Sequence, residues 1–318
     1  MNSYLDFEKP IAEIEGKLQE LRHLSDDSGV NMLDEVTRLE GKVDRLLKQT
    51  YSRLTPWQKT QVARHQLRPH ATDYIKRLVT DFVPLAGDRA FGDDRAVIGG
   101  LGRLRGYTTM IIGQEKGADT EGRVAHNFGM ANPEGYRKAI RLLRLAERFD
   151  VPVLTLIDTP GAHPGVGAEE RGQAEAIARC IEAGLDVRVP VVALIIGEGG
   201  SGGAIALGVA NSVLMMEHAI YSVISPEGCA SILWRDAGHA EVAAEALRLT
   251  SEDLQRLGVI DAIVPEPVGG AHRDAASAID RAGRALDAAF AELRGLDGAD
   301  LRNHRRQKYL TLGSLAED

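Results

Sequence analysis

The run Val189-Pro190-Val191-Val192-Ala193-Leu194-Ile195-Ile196 is of strand length and uncharged, the pattern of a strand buried on both faces. Directly after it stand Gly197-Glu198-Gly199-Gly200-Ser201-Gly202-Gly203, and then the small-residue helix Ala204-Ile205-Ala206-Leu207-Gly208-Val209-Ala210. Strand, glycine turn and helix in that order leave bare backbone N–H groups at the positive end of a helix, where an anion can be held. Which anion is held decides the function.

The rest of the chain alternates in the same way. Helical spacing predicts a charged helix over 7–24, with Ile11, Ile14, Leu18 and Leu21, and another over 32–47, with Val36, Leu39, Val43, Leu46 and Leu47. Residues 25–29 read as the turn between them. Each arm has one apolar stripe and little core of its own, so this hairpin is expected to pack on the body or on another chain. Short helices start at Pro56 and Thr72. Residues 96–104 and 107–112 read as a strand hairpin around Arg105-Gly106, 134–149 as an amphipathic helix, 151–157 as a strand and 169–183 as a helix. Strands over 213–216, 219–224 and 259–264 and a helix over 274–293 complete the series. Alternation of this kind implies an α/β fold with a mostly parallel, buried sheet.

A chain of 318 residues can bury a full core, as one large domain or one domain with an appendage. The formal net charge of -8 argues against a general nucleic-acid binder. Arg302, Arg305, Arg306 and Lys308 read as a solvated basic tail. Cys180 and Cys229 lie far apart without neighbouring ligand pairs, so neither a disulfide framework nor a zinc site follows. The first residues lack a basic start and an apolar core, and no apolar run approaches the ~20 residues of a membrane span. A soluble, cytoplasmic protein is expected.

Four anions compete for the glycine turn. Gly197, Gly199 and Gly202 fit G-x-G-x-x-G, with Glu217 about 20 residues on as a ribose-binding acid. Gly199, Ser201 and Gly203 fit the G-x-S-x-G elbow of a hydrolase, with Asp236, His239, Asp261 and His272 available downstream. Leu156-Ile157-Asp158-Thr159-Pro160-Gly161 resembles a GTPase switch, but no G-x-x-x-x-G-K-[ST] loop exists to cradle phosphates. The fourth reading is an oxyanion hole made by the N–H groups of Gly202 and Gly203. A close helix-to-sheet crossing served by small residues explains the glycines without any ligand. A second rigid turn, Asp158-Thr159-Pro160-Gly161-Ala162-His163-Pro164-Gly165-Val166-Gly167, running on to Gly172, also follows a buried strand. In a parallel sheet both turns emerge on one rim, where ligands bind.

Together with Pro133-Glu134-Gly135-Tyr136-Arg137-Lys138-Ala139, residues 221–234 and residues 265–272, these two turns resemble the alpha subunit of the carboxyltransferase of multi-subunit acetyl-CoA carboxylase, over about residues 7–309. The resemblance implies a crotonase-like superhelix of strand-strand-helix units behind an N-terminal helical hairpin: 1–54 as a subunit contact, 55–300 as the carboxyltransferase domain and 301–318 as a basic tail. It implies transfer of a carboxyl group from carboxybiotin, borne on the biotin carboxyl carrier protein, to acetyl-CoA, giving malonyl-CoA. Another acyl-CoA acceptor and a non-catalytic scaffold subunit are the alternatives.

In the family the pair matching Gly202 and Gly203 holds the biotin ureido oxygen, and biotin itself takes the acetyl proton, so no protein base is required. Gly161, Ala162, His163, Gly165, Gly167, Arg171, Ser225, Pro226 and Glu227 are then the candidate substrate-binding residues. Arg171 serves equally as a helix cap. The chain departs from the family at His163, where Tyr is usual. No metal is expected here, zinc belonging to the beta subunit. The implied partners are the beta subunit, the carrier protein and biotin carboxylase, in an alpha2beta2 assembly with no membrane. Gly203→Val is the change expected to block transfer without unfolding the chain.

Overall fold

The structure, a computed structural model, describes residues 4–28 and 33–313. One eight-stranded sheet organises it: β1 (Val79–Pro84), β2 (Val97–Leu104), β3 (Tyr107–Gln114), β4 (Val153–Thr159), β5 (Val191–Gly200), β6 (Ser212–Met216), β7 (Ile220–Ser222) and β8 (Ala262–Val264). The order is β1-β2-β3-β4-β5-β6-β8, and β7 lies beside the far end of β5. β1, β2 and β3 pair antiparallel; β3, β4, β5, β6 and β8 run parallel. Every residue of β4 and β5 is buried, as the uncharged runs require of central parallel strands.

Helices α1 (Lys9–Ser28), α2 (Leu33–Tyr51), α3 (Pro56–Ala63) and α4 (Ala71–Leu78) precede the sheet. Within it come α5 (Thr120–Ala125), α6 (Pro133–Arg148), α7 (Val166–Glu170), α8 (Gln173–Asp186) and α9 (Ser201–Gly208). Then follow α10 (Pro226–Trp234), α11 (Ala240–Ala246), α12 (Ser251–Arg256), α13 (Ala275–Leu293) and α14 (Gly298–Thr311). α6, α8 and α9 cover one face; α4 and α13 cover the other. Gly99 and Gly113 mark the two sides: a Cβ on Gly99 would meet Leu142 of α6, one on Gly113 would meet Ala71 of α4. Leu142, Leu143, Ala146, Tyr136 and Ala139 form the buried stripe of α6, at the three- and four-residue steps of an amphipathic helix.

Five expectations change. α1 continues through Ser28, where a turn is expected, and residues 29–32 lie outside the described residues. β1 has no sequence counterpart because it is an edge strand, mostly exposed, with a register shift between Thr80 and Val83. The helix expected over 169–183 is two helices, broken at Gly172, whose φ of 80° is left-handed. The two stripes of the hairpin are not alike: Ile11, Ile14 and Leu18 of α1 are buried, Tyr51 donates to Glu8 at 3.0 Å and Arg273 binds Glu8 and Glu15, whereas Val36, Leu39, Val43, Leu46 and Leu47 of α2 are only half-buried. The basic tail is largely α14. Arg305 there is fully buried and donates to Val187 O, Val189 O and Asn211 Oδ1, while Arg306 stays exposed. Among the described residues no helix is long and apolar enough to cross a membrane, and no cluster of His, Cys, Asp or Glu is arranged to hold a metal.

Candidate active site

β4 and β5 are parallel neighbours, so the segments that leave them emerge on the same rim. The glycine segment is less a turn than the end of β5: Gly199 pairs with Thr159 on one side and Tyr221 on the other. Chain direction changes at Ser201, whose φ of 52° is left-handed, a costly conformation for a residue with a Cβ. Helix α9 starts there.

The glycines beside this corner do different things. A Cβ on Gly200 would sit 2.3 Å from Pro160 O, and one on Gly203 would sit 2.7 Å from the Gly161 carbonyl carbon. Both are therefore packing glycines that let the 159–162 backbone lie against α9. Gly202 is different: its nearest neighbour would be the Ile177 side chain at 3.7 Å, an ordinary contact. The N–H groups of Gly202 and Gly203 lie in the first helical turn, which has no intrahelical acceptor for them, and that turn carries no acidic residue. Two donors, a helix N-terminus and a close rigid wall are what an oxygen gaining negative charge needs.

The rival readings lose their parts. Among the described residues no side chain hydrogen-bonds the Ser201 hydroxyl. Of the downstream acids and histidines, Asp236 and His239 lie 3.8 Å apart on an exposed turn, Asp261 is bound to Lys308 and His272 is stacked on His65. Glu217 is occupied as well, accepting from the Glu266 N–H at 2.8 Å.

An ionic chain runs along the rim. Lys116 Nζ lies 2.6 Å from Asp158 Oδ1 and 3.6 Å from Glu198 Oε2; Arg64 binds Glu198 at 2.7 Å and Glu227 at 2.6 Å. Burial pushes the Glu227 carboxyl up, but the Arg64 hydrogen bond and charge, with the hydrogen bonds from its own backbone and Ser225, together hold the group below its ordinary value. Arg64, Lys116, Arg123, Phe128, Asp158 and Glu198 help line a cavity of about 210 Å³ that opens beside Pro160. A larger cavity of about 450 Å³ lies at the opposite end of the strands, against Pro152 and Pro190, far from this chemistry.

The structure brings Gly161 and Ala162 against Gly203, as two turns on one rim require. His163 faces its own loop: its Nδ1 accepts from the Gly165 N–H at 3.1 Å, and that bond uses the lone pair a base would need. Arg171 is committed to Glu134 at 2.5 Å and stacks over Phe91, with Gly167 beside it. Ser225 caps α10 by accepting from Gly228 N at 3.0 Å, and Pro226 is the buried first residue of that helix. Glu227 joins the rim through Arg64. Sequence reasoning passed over Arg64, Lys116 and Gln114, isolated polar residues that no motif marks. Gln114, at the end of β3, donates to Gly203 O and accepts from Asp158 N.

A mostly parallel sheet of this order, with α9 starting at its rim, is a crotonase-like fold. Solved structures of that fold align with it: a Pseudomonas malonate decarboxylase hetero-tetramer in complex with coenzyme A (TM-score 0.56, 19% identity, 68% of this chain and 86% of that one) and transcarboxylase 12S (TM-score 0.53, 22% identity, 66% and 40%). Residues 4–313 match the family described as acetyl co-enzyme A carboxylase carboxyltransferase-like. The acetyl-coenzyme A carboxylase carboxyl transferase subunit alpha of Paramagnetospirillum magneticum is 65% identical over 97% of this chain and 98% of its own. That of Rhodospirillum centenum is 64% identical over 98% of each. The chain belongs to this alpha-subunit family.

Proposed function

We propose that this chain supplies the biotin half of a composite active site, transferring a carboxyl group from carboxybiotin to acetyl-CoA and forming malonyl-CoA. The observation that carries the reading is the start of α9: the N–H groups of Gly202 and Gly203 lie in a first helical turn with no intrahelical acceptor for them, and the 161–162 backbone packs directly against Gly203. Biotin bound there supplies the carboxyl group and, once it is released, the nitrogen that takes the acetyl proton. Gly202 and Gly203 N–H hold the ureido oxygen on which charge gathers. The 160–163 backbone walls the site on the other side, and the ionic chain from Lys116 to Glu227 fixes that wall to α3 and α10. Asp158 and Glu198 are each held by a cation, which suits a scaffold and leaves proton transfer to the substrate.

The beta subunit holds acetyl-CoA and the structural zinc, the biotin carboxyl carrier protein delivers carboxybiotin made by biotin carboxylase, and the hairpin 1–54 contacts the beta subunit in an alpha2beta2 assembly. All of this takes place in the cytoplasm. Purification with the beta subunit, followed by a carboxybiotin-dependent assay, tests the whole reading; full malonyl-CoA formation by this chain alone overturns it. Gly202→Pro removes one N–H from a first helical turn that does not need it, and should cut turnover by about 10²–10³-fold in an assembled complex. Gly202→Ala keeps the N–H, fits beside Ile177, and should stay within about tenfold of wild type. Unchanged turnover in Gly202→Pro sinks the oxyanion assignment.

A further inference from the structure

Helix α9 carries the glycine pair, yet it is built from small residues that give packing little to grip. Its carbonyls are held from outside instead. Gln114 of β3 donates to Gly203 O at 2.7 Å, Cys180 of α8 to Ala206 O at 3.2 Å, Thr155 of β4 to Leu207 O at 2.8 Å, and Tyr309 of α14 to Gly208 O at 2.9 Å. Among the described residues, Gln114 is the one side chain that bonds the first turn. It is fully buried, and the other end of its amide accepts from Asp158 N at 3.2 Å, where the facing loop begins. One planar group thus bridges the two backbone segments that make the site.

We propose that Gln114 is the positioning residue of the glycine pair. It fixes the gap between the Gly202 and Gly203 N–H groups and the 158–163 segment, and its donation to Gly203 O polarises the Gly203–Ala204 peptide. The inference rests on the oxyanion reading above. A side-chain amide offers a donor and an acceptor on one rigid plane at this length without having to take up a proton. Glu would set a carboxylate oxygen against Gly203 O, and Leu would leave the buried Asp158 N–H without its acceptor.

The test uses the assembled complex with the beta subunit and three variants: Gln114→Glu, Gln114→Leu and Thr155→Val. The last removes a clamp of the same kind from the other end of α9. Amide hydrogen exchange over 200–207, measured with no substrate present, should speed up about tenfold in both Gln114 variants. In both, kcat should fall roughly 10–100-fold while KM for acetyl-CoA stays within about twofold. Thr155→Val should lower the melting temperature yet hold kcat within about twofold. The proposal is overturned if Gln114→Leu keeps wild-type kcat, or if Thr155→Val loses kcat as heavily, which would make the clamps interchangeable supports. Should Gln114→Leu fail to fold, the isosteric Gln114→Glu supplies the same readouts. A wild-type complex without transfer activity overturns the oxyanion reading instead.

Discussion

At the scale of single residues the glycine segment divides into positions that pack and one that is open. Gly203→Ala drives a methyl group into the Gly161 backbone and should cost about 1–3 kcal/mol, the usual penalty of overpacking where the neighbour is main chain. Gly202→Ala meets only the side chain of Ile177, and should be neutral or stabilise by a few tenths to about 1 kcal/mol, because Gly is the poorer helix residue. Urea denaturation of the two variants checks the contrast; equal effects would mean the glycines are alike. Gly203→Val therefore tests packing and not chemistry, contrary to what the sequence suggests. The glycine pattern itself was plain in the sequence, and so were the two false motifs it also spells. What separates them is the backbone lying opposite, 40 residues away, and no local pattern reports that.

Among the elements, those with strong periodicity were legible and those defined by their partners were not. β4, β5, α6 and α13 follow from uncharged runs and helical stripes. β1 escaped because an exposed edge strand has no stripe, and the break at Gly172 escaped because the apolar spacing continues across it. α14 is the sharpest case. Its cations suggest a solvated segment, yet Arg305 points inward and satisfies Val187 O, Val189 O and Asn211 Oδ1. Arg305→Leu removes the guanidinium from Val187 O and Val189 O, while Asn211 Oδ1 keeps only the Val191 N–H at 3.1 Å, and should cost roughly 2–4 kcal/mol. Arg306, exposed and 3.2 Å from Asp186, should cost about 0–1 kcal/mol when changed to Ala. Comparison of urea midpoints at constant slope decides this, and equal small losses would return the helix to the status of a loose tail.

Across the whole molecule, one buried cluster ties the N-terminal hairpin to the body that carries the site. His65 and His272 stack with ring centroids 4.1 Å apart, Tyr51 reaches toward both His272 and Glu8, and Arg273 clasps Glu8. Below them Arg68 binds Glu266 at 2.5 Å and donates to Ile196 O of β5 at 2.7 Å, so the same cluster touches the strand leading to the glycine pair. Burial, then the neighbouring His65 and Arg68, push His272 down to about 3 from 6.5, while Glu266 opposes weakly. Burial pushes Glu266 the other way, but the Arg68 charge and hydrogen bonds, with His218, together hold it at about 2 against 4.5. The sign follows from proton counting. Between pH 3 and 6.5 the unfolded chain binds a proton at His272 that the folded chain refuses, so stability is complete above 6.5 and falls as pH drops through that window. Glu266 adds its own loss only below 4.5, toward 2. Acid sensitivity should therefore set in near pH 6, well before the carboxylates titrate, with the hairpin loosening from the body first. The melting temperature between pH 7 and 4.5 should decline in wild type and decline less steeply in His272→Gln, which cannot take up the proton. The slope should not vanish, since burial also lowers His218 in the same cluster. Identical slopes in the two proteins would remove His272 from the account and leave the carboxylates alone to explain acid unfolding.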